Sequence, residues 1–481
     1  MDHRFGEKLK DANVAVTFRD VILLPGWVEV EPSDIDIKSK VTVNHSLHAP
    51  FVASPMDTVT EADMAIALAR LGGVGILHRN CSVQEQVEMA TKVKRAESLV
   101  IRDVITLRPD QTIREAVDLM QKHQISGLPV VENGKLTGLI TGRDVRFADA
   151  DLKVIDVMTK KVITAKEGVT IDEAKEILHR NRIEKLPIVD DAMKLRGLIT
   201  FKDIMLRGRF PNAARSDDGR LLCGAATSPF DLERAMQLDK HVDIIVIDVS
   251  HFHNANVFKA TKKILESVKA DVVVGNIGTS QAAEDIATKL DGVAGVRVGI
   301  GSGSICTTSE VTKAGSPTLF ATTQVADKFK ELDVHIPIIA DGGIKSAGDI
   351  AVALAAGASA VMMGNLFARC KEAPGNLVAI GGRYYKQYRG MGSPSAMAKR
   401  FSMDRYSIPS KGVPEGVEGW VPYKGDLVTV VQEMVDGLRA SMGYAGARNV
   451  PELWEKAQFA VMTSAGMEEA KPHDVLLPGA V

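Results

Sequence analysis

The chain has 481 residues, 45% hydrophobic and 25% charged, a composition typical of a large globular protein with an extensive core. The 59 Lys and Arg residues nearly balance the 61 Asp and Glu residues, so the charge gives no support for a broad nucleic-acid-binding face. No apolar run reaches membrane-spanning length, and the start MDHRFGEKLK is too polar for a signal peptide. We therefore expect a cytoplasmic protein that contacts neither membrane nor nucleic acid.

Two short apolar runs, residues 50–57 and 72–78, begin the predicted structure, and a helical stretch follows each. Short, continuous apolar runs of this kind are typical of buried parallel strands. They indicate an α/β protein in which strands and helices alternate.

A tandem repeat then interrupts the alternation. The sequence LPVV at residues 128–131 corresponds to LPIV at 186–189, and GLIT at 138–141 recurs at 197–200. Neither repeat could bury its apolar face alone, so the two should pack together. They resemble a pair of cystathionine-β-synthase-type (CBS) modules, which we place at residues 97–153 and 154–206.

The resemblance to CBS modules implies binding of adenine or guanine nucleotides through a Thr and an Asp near the second strand of each module. Thr141, Asp144, Thr200 and Asp203 occupy those positions. A purely structural insert would account for the repeat equally well.

Six further apolar runs follow the repeat, at residues 221–227, 243–250, 271–276, 295–301, 336–343 and 360–365. With the first two they make eight strand–helix units, which favours a TIM (β/α)8 barrel over an open sheet. The predicted fold is thus a TIM barrel built from residues 1–96 and 207–481. The CBS pair is inserted in the loop after the second unit, where the chain ends lie close at the surface.

Polar or glycine residues stand at the ends of five predicted strands; they are Asp57, Asp248, Asn276, Gly301 and Asp341. Any one of the carboxylates is explained by helix capping. In a barrel, however, the strand ends share the face on which sites are built. Glycine turns at 301–304, 341–343 and 364–365 add backbone N–H groups there, which predicts a phosphate site on the last three units.

The four cysteines, Cys81, Cys223, Cys306 and Cys370, show no close pair of the kind that zinc sites use. Three of them lack a polar or glycine-rich setting and indicate packing. Cys306 follows the glycine loop GIGSGSI, beside the predicted phosphate site. Its surroundings leave two interpretations open: an inert buried thiol, or a nucleophile for electron-poor carbon.

Residues 388–425 are rich in Gly, Pro, Ser and charge, and the segment is too long for a simple connection. Loops of this length are usually functional lids or disordered. We interpret the segment as a mobile flap.

Several longer motifs, in order, resemble the IMP dehydrogenase family. They are SPMDTVTE (54–61), GIGSGSICTT (299–308), IADGGI (339–344), YRGMGS (388–393), DRY (404–406) and VPEGVEG (413–419). The similarity extends from TFRDVILLP near the amino terminus to SAGMEEAKPHDV near the carboxyl terminus, and it includes the CBS pair.

This resemblance implies NAD-dependent oxidation of IMP to XMP, the committed step of guanine nucleotide synthesis. Cys306 would attack carbon 2 of the purine, hydride would pass to NAD, and water would hydrolyse the resulting thioimidate. Arg405 and Tyr406 match the family's base dyad on the flap, and Thr308 would assist near the same water.

The resemblance also implies the binding residues. Substrate contacts would be Ser54, Met56, Ser304, Asp341, Gly342, Gly343, Gly364, Asn365, Tyr388, Arg389, Gly390, Met391, Gly392 and Glu415. NAD contacts would be Asp248, Ser250, Asn276, Arg297, Gly299, Ile300 and Gly301. A potassium ion would be held by Gly301, Gly303 and Cys306, together with Glu469, Ala470 and Lys471 from a neighbouring subunit of a homotetramer.

Three positions depart from the family pattern. Phe252 replaces a common glycine, which questions the shape of the nicotinamide pocket, and Asn365 stands where Ser is common. Pro394 would stiffen the chain that leads into the flap.

Two other functions remain possible on sequence grounds. GMP reductase, which returns hydride from NADPH to GMP, shares the barrel and the cysteine but needs no hydrolytic dyad. A non-catalytic nucleotide sensor would need only the CBS pair. Arg405, Tyr406 and the long flap favour the dehydrogenase.

Overall fold

The computed structural model describes residues 12–96, 100–102, 104–123, 125–399 and 414–474. Contacts divide the chain into two compact units. The first comprises Met1–Lys94, Asn212–Ser216 and Leu221–Val481, and the second comprises Arg95–Pro211 and Asp217–Arg220.

The first unit begins with short strands and then forms two strand–helix units. Its elements are β1 (Val21–Leu23), a 3-10 helix (Pro32–Asp34), β2 (Ser39–Lys40), β3 (Ser46–Leu47), β4 (Phe51–Ala53), α1 (Ala62–Arg70), β5 (Val74–Leu77) and α2 (Val83–Arg95).

The second unit contains the sequence repeat, and each repeat has a helix, two antiparallel strands and a closing helix. Its elements are α3 (Ile113–His123), β6 (Gly127–Glu132), β7 (Lys135–Thr141), α4 (Gly142–Val145), α5 (Val154–Val157), β8 (Ala165–Lys166), α6 (Ile171–Asn181), β9 (Lys185–Val189), β10 (Leu195–Thr200) and α7 (Phe201–Arg209).

The two repeats contact each other through their backbones. Leu136 N–H donates to the Met193 carbonyl at 2.9 Å, and Leu195 N–H donates to the Gly134 carbonyl at 3.2 Å. Each repeat also buries its own apolar cluster, around Leu128 in the first and Leu186 in the second. The expected packing of the repeats against each other is therefore present, and their assignment as CBS modules stays a prediction.

The chain then returns to the first compact unit and forms six more pairs of a strand followed by a helix. Their elements are β11 (Gly224–Thr227), α8 (Leu232–Leu238), β12 (Ile244–Ile247), α9 (Ala255–Leu265), β13 (Asp271–Ile277), α10 (Ser280–Lys289), β14 (Val293–Val298), α11 (Thr308–Thr312), α12 (Thr318–Glu331), β15 (Ile338–Asp341), α13 (Ala347–Ala355), β16 (Ala360–Met363) and α14 (Asn365–Ala368).

Eight parallel strands close into a barrel in the order β11-β12-β13-β14-β15-β16-β4-β5. These are the eight predicted strands, so the TIM barrel prediction is confirmed. Strand residues are buried almost throughout, since one face of each strand packs inside the barrel and the other is covered by helices. No helix of the described residues has the length and apolar character needed to cross a membrane.

The carboxyl-terminal part adds an antiparallel sheet of three strands in the order β17-β18-β19, and β20 pairs with β1. Its elements are β17 (Leu377–Ile380), β18 (Arg383–Arg389), α15 (Pro394–Ala398), β19 (Glu418–Pro422), α16 (Leu427–Tyr444), α17 (Val450–Lys456), β20 (Phe459–Val461) and α18 (Ser464–Glu469). Strands β18 and β19 form the two ends of the predicted flap, and residues 400–413 between them lie outside the described residues.

A buried ion pair stabilises the barrel near the start of β12. Lys94 Nζ lies 2.7 and 2.5 Å from the two carboxylate oxygens of Asp243, and these side chains are 5% and 12% exposed. Lys94 also donates to the Leu221 carbonyl, and Cys223 N–H donates to Asp243. The pair therefore joins α2 to the segments that lead into β11 and β12.

We predict that D243N destabilises the protein by about 3 kcal/mol, because it leaves Lys94 buried without its charge partner. Urea denaturation gives the change in free energy of unfolding. The matched control is D63N, which breaks the exposed Lys92–Asp63 pair and should cost at most about 1 kcal/mol. Equal losses in the two variants would contradict the structural role of the buried pair.

Candidate active site

A cavity of about 530 Å³ lies at the carboxyl ends of the barrel strands, a volume suited to a small-molecule ligand. Loops after β4, β12, β13, β14, β15 and β16 line it, together with residues that flank β18 and β19. It brings together most of the predicted site residues: Ser54, Met56, Ser250, Asn276, Arg297, Gly299, Ile300, Gly301, Gly303, Ser304, Cys306, Thr308, Asp341, Gly342, Gly343, Gly364, Asn365, Tyr388, Gly390, Met391, Gly392 and Glu415.

Four kinds of predicted site residue are not among the lining residues, and those that the structure describes lie outside the cavity. Asp248 is buried and accepts a hydrogen bond from Arg297, and the Arg389 side chain donates to Asp57. The predicted ion ligands Glu469, Ala470 and Lys471 lie at the end of α18 and just after it. Arg405 and Tyr406 fall outside the described residues.

Cys306 begins a chain of hydrogen bonds that ends at a buried carboxylate. Its thiol donates to Thr308 Oγ1 at 3.2 Å, and the Thr308 hydroxyl donates to Glu415 Oε2 at 2.9 Å. Glu415 is 3% exposed. We call these three residues the thiol relay, because each group points its proton towards the next.

Backbone pairing holds the thiol relay together across more than a hundred residues. Thr307 N–H donates to the Glu415 carbonyl at 3.1 Å, and Val417 N–H donates to the Ile305 carbonyl at 3.0 Å. The cysteine loop and the segment before β19 thus form a short antiparallel bridge between Cys306 and Gly416. This bridge brings the Glu415 carboxylate within hydrogen-bonding distance of Thr308, the partner of Cys306.

The thiols of the other three cysteines are weakly acidic. Burial raises the pKa of Cys81 to about 11 and the pKa values of Cys223 and Cys370 to about 12. Their thiols therefore stay protonated at neutral pH, where the thiolate is the reactive form. Cys306 is half-buried and lines the cavity.

The cavity has a polar end that suits a phosphate. Asn365 Nδ2 donates to Ser304 Oγ at 3.2 Å, and the Tyr388 hydroxyl is hydrogen-bonded to Ser304. Burial raises the pKa of Tyr388 to about 12, so its hydroxyl keeps its proton. A Cβ atom at Gly364 would lie 2.8 Å from the Tyr388 hydroxyl, so only glycine leaves this end open.

A buried arginine connects two carboxylates beside the cavity. Arg297 is 2% exposed; its Nη1 lies 3.0 Å from Asp248 Oδ1 and its Nη2 lies 2.8 Å from Asp341 Oδ2. Asn276 Nδ2 also donates to Asp341 at 2.9 Å. Arg297 is therefore a shared charge partner of both carboxylates, which offsets part of the cost of burying charge here.

Phe252 does not narrow the cavity. Its ring is fully buried and packs on Phe258 with 5.2 Å between the ring centroids, and its N–H donates to the Asn276 carbonyl. The large side chain fits because it points into the protein core.

Asp57 holds the start of the flap segment to the barrel. Arg389 donates to Asp57 Oδ1 at 3.0 Å and also pairs with Oδ2, and Asn80 Nδ2 donates to Oδ2 at 2.8 Å. Burial raises the pKa of Asp57, but these donors outweigh it and keep the pKa below its usual value. Arg389 thus anchors the neighbouring residues that line the cavity.

Sequence reasoning missed several residues near the cavity. Arg79 is buried and donates to the Asp248 carbonyl at 3.2 Å, and Thr318 donates to the Asp341 carbonyl at 2.8 Å. Arg79 directly follows a predicted strand, and this position could have indicated a site residue. Thr318 is brought to the site only by the packing of α12, which the sequence does not reveal. Arg19 and Lys345 add cationic side chains to the lining.

In the second unit, the predicted nucleotide-binding pairs have a structural role. The Thr141 hydroxyl lies 2.7 Å from Asp144 Oδ2, and the Thr200 hydroxyl lies 2.5 Å from Asp203 Oδ2. Both pairs cap the helices that follow β7 and β10. Nucleotide binding by these residues stays a prediction.

The fold and the cavity define a TIM-barrel protein with a small-molecule site at the carboxyl ends of its strands. Residues 15–473 match the family model described as the IMP dehydrogenase / GMP reductase domain. The chain belongs to this family, as its motifs predicted.

Relatives of known description match over nearly their full length. The chain is 54% identical to inosine-5'-monophosphate dehydrogenase of Korarchaeum cryptofilum, covering 96% of this chain and 97% of that protein. It is 51% identical to the same enzyme of Methanocaldococcus jannaschii, covering 98% of both chains. A solved cysteine-to-alanine variant of Trypanosoma brucei GMP reductase, in complex with guanosine 5'-monophosphate, is 34% identical with a TM-score of 0.89, covering 98% of this chain and 100% of that one.

We predict that brief treatment of the folded protein with iodoacetamide at about pH 8 modifies Cys306 and leaves Cys81, Cys223 and Cys370 intact, because burial keeps those three thiols protonated. Peptide mass spectrometry measures the modified fraction at each cysteine, and the denatured protein is the control in which all four react. Comparable modification of a buried cysteine in the folded protein would contradict the prediction.

Proposed function

We propose that the chain catalyses the NAD-dependent oxidation of IMP to XMP through a covalent intermediate on Cys306. It is an oxidoreductase of guanine nucleotide synthesis. The thiol relay, whose three residues line the cavity, is the observation that supports this function best, because it gives the cysteine a route for its proton. High identity to IMP dehydrogenases over almost the whole chain supports the choice of substrate.

The nucleotide fits the two ends of the cavity. Its phosphate would lie against Ser304, Asn365 and Tyr388 and the backbone N–H groups of Gly343 and Gly364, all of which line the cavity. The Asp341 carboxylate accepts hydrogen bonds from ribose hydroxyls. Met391, Gly392 and Glu415 would face the base, and the remaining proposed substrate contacts are Ser54, Met56, Gly342, Arg389 and Gly390.

In the first chemical step, the Cys306 sulfur bonds to carbon 2 of the purine. The thiol proton moves through the Thr308 hydroxyl towards Glu415, and the hydride on carbon 2 leaves. NAD, when bound, accepts that hydride. The product of the step is a thioimidate on Cys306.

NAD fits the residues around Asn276. Among the described residues, the buried Asn276 Oδ1 has no hydrogen-bond partner, so it can accept from a carboxamide N–H. The other residues proposed to hold NAD are Asp248, Ser250, Arg297, Gly299, Ile300 and Gly301. The Arg297 bridge between Asp248 and Asp341 would fix the position of the cofactor relative to the ribose of the substrate.

In the second step, water attacks carbon 2 and the carbon–sulfur bond breaks, which releases XMP and returns the proton to Cys306. Arg405 and Tyr406 are the proposed base for this water. Arginine is normally protonated, so the dyad must work in a special environment. Thr308, whose hydroxyl lies 3.2 Å from the Cys306 sulfur, would orient the water.

The proposal extends to a monovalent cation and to assembly. The loop from Gly301 to Cys306 offers neutral carbonyl oxygens, which suit potassium. No cluster of three or more His, Cys, Asp or Glu residues able to hold a metal occurs in the described ranges. Glu469, Ala470 and Lys471 of a neighbouring subunit would complete the site in a homotetramer. Purine nucleotide binding at the repeat pair and a cytoplasmic location stay predictions.

GMP reductase is the second candidate, because solved structures of a GMP reductase resemble this chain. The two functions differ in their reactants. Supplying IMP with NAD, and separately GMP with NADPH, while following the absorbance of the reduced cofactor decides between them. Turnover with the second pair alone would overturn the proposed function.

We predict that C306A binds IMP with little change in affinity but forms NADH at least about 10³-fold more slowly, because the covalent route is lost. Calorimetry measures binding and absorbance measures NADH. The control C81A removes a thiol outside the cavity and should keep normal turnover. Normal turnover by C306A would show that catalysis is not covalent at this residue.

We predict that R405A slows hydrolysis by at least about 10²-fold while hydride transfer stays nearly unchanged, because the dyad acts only on water. A stopped-flow trace would then show a rapid NADH burst followed by slow turnover. R383A, at an exposed arginine of β18, is the control. Equal slowing of both steps would argue against the dyad assignment.

A further inference from the structure

One cation beside the phosphate end of the cavity has no assigned role. Arg369 follows α14, and its Nε donates to Asn365 Oδ1 at 2.9 Å. The other end of the same amide donates from Nδ2 to Ser304 Oγ at 3.2 Å. Asn365 therefore bridges Arg369, outside the cavity lining, to Ser304, inside it.

Arg369 decides which way the Asn365 amide faces. The two ends of an amide are nearly equal in shape and differ only in hydrogen-bonding character. Arginine can only donate, so it selects the oxygen. The Ser304 hydroxyl accepts or donates equally well and imposes no choice. With Arg369 in place, the amide N–H₂ group faces Ser304 and the cavity.

The charge of Arg369 also remains available at this end of the cavity. Arg297 is engaged by Asp248 and Asp341, and Arg389 is engaged by Asp57. Within the described part of the chain, Arg369 forms no ion pair with a carboxylate. Its positive charge is therefore not cancelled locally and favours an anion nearby.

We propose that Arg369 is a positioning residue for the nucleotide phosphate: it holds Asn365 so that an amide donor faces the anion. This inference rests on the proposed function for the identity of the ligand. Without Arg369, the amide can flip, because the Ser304 hydroxyl can donate to its oxygen. The oxygen lone pairs would then face the phosphate and repel it.

The asparagine at position 365 needs an orienting residue, unlike a hydroxyl side chain. A serine hydroxyl rotates to suit its partner and can donate to a phosphate in any setting. An asparagine side chain presents either a donor or an acceptor. Arg369 therefore allows the asparagine at this position to donate a hydrogen bond to the phosphate.

The test is a double-mutant cycle on binding, with R369M, N365A and the double variant. Calorimetry measures Kd for IMP and for inosine, which lacks the phosphate. We expect R369M to weaken IMP binding about tenfold and to leave inosine within about twofold, since one oriented donor to a charged group is lost. In the N365A background, R369M should change Kd for IMP by less than about threefold.

The matched control is K371M, which removes a cation two residues away that pairs with Asp426 at 3.5 Å on the surface. It should leave both Kd values unchanged. R369A serves as the second truncation if R369M does not accumulate as folded protein. An equal loss for IMP and inosine, or an undiminished effect of R369M in the N365A background, would overturn the inference.

The binding assay separates this inference from the proposed function. It needs no turnover, and GMP with guanosine provides the same comparison for the reductase. If the wild-type protein fails to oxidise IMP but binds nucleotides more tightly than nucleosides through Asn365, only the proposed function falls. If oxidation proceeds and R369M leaves the preference for IMP over inosine intact, only this inference falls.

Discussion

Closure of the barrel is the constraint on which the site depends. Strand β4 pairs with β16, which brings Phe51 opposite Val361, although they are more than three hundred residues apart in the chain. Closure removes the free edges of the sheet and points the carboxyl ends of all eight strands to one face. Because Asp341 ends one strand and Ser54 follows another, they meet in the same cavity.

Ion pairs then fix the charged side chains around the cavity. Arg297 pairs with Asp248 and Asp341, and Arg389 pairs with Asp57, so each of these carboxylates has a cationic partner. Breaking such a pair is costly because it leaves an uncompensated buried charge. The ion pairs thus hold the loops of the site in place, and they leave the thiol relay and the phosphate end free to interact with a ligand.

The candidate site could be predicted from the sequence where local motifs carry it. Cys306 and Thr308 are two residues apart in one motif, so their contact follows from their spacing. Glu415 joins them only because the backbone of residues 305–307 pairs with that of 415–417. The orientation of Phe252 and the contact between Arg369 and Asn365 were also beyond sequence reasoning, because both depend on side-chain packing in three dimensions.

The sequence by itself determined the eight barrel strands, the inserted repeat and the family. Each follows from a continuous sequence pattern. Apolar runs of strand length predict the strands, similar segments reveal the repeat, and motifs of several residues identify the family. Only the tertiary structure decided the partners of Asp57, Asp248 and Glu415. A polar residue at a strand end has the same local sequence whether it binds a ligand or an ion-pair partner. The distinction arises from distant residues that barrel closure brings into contact.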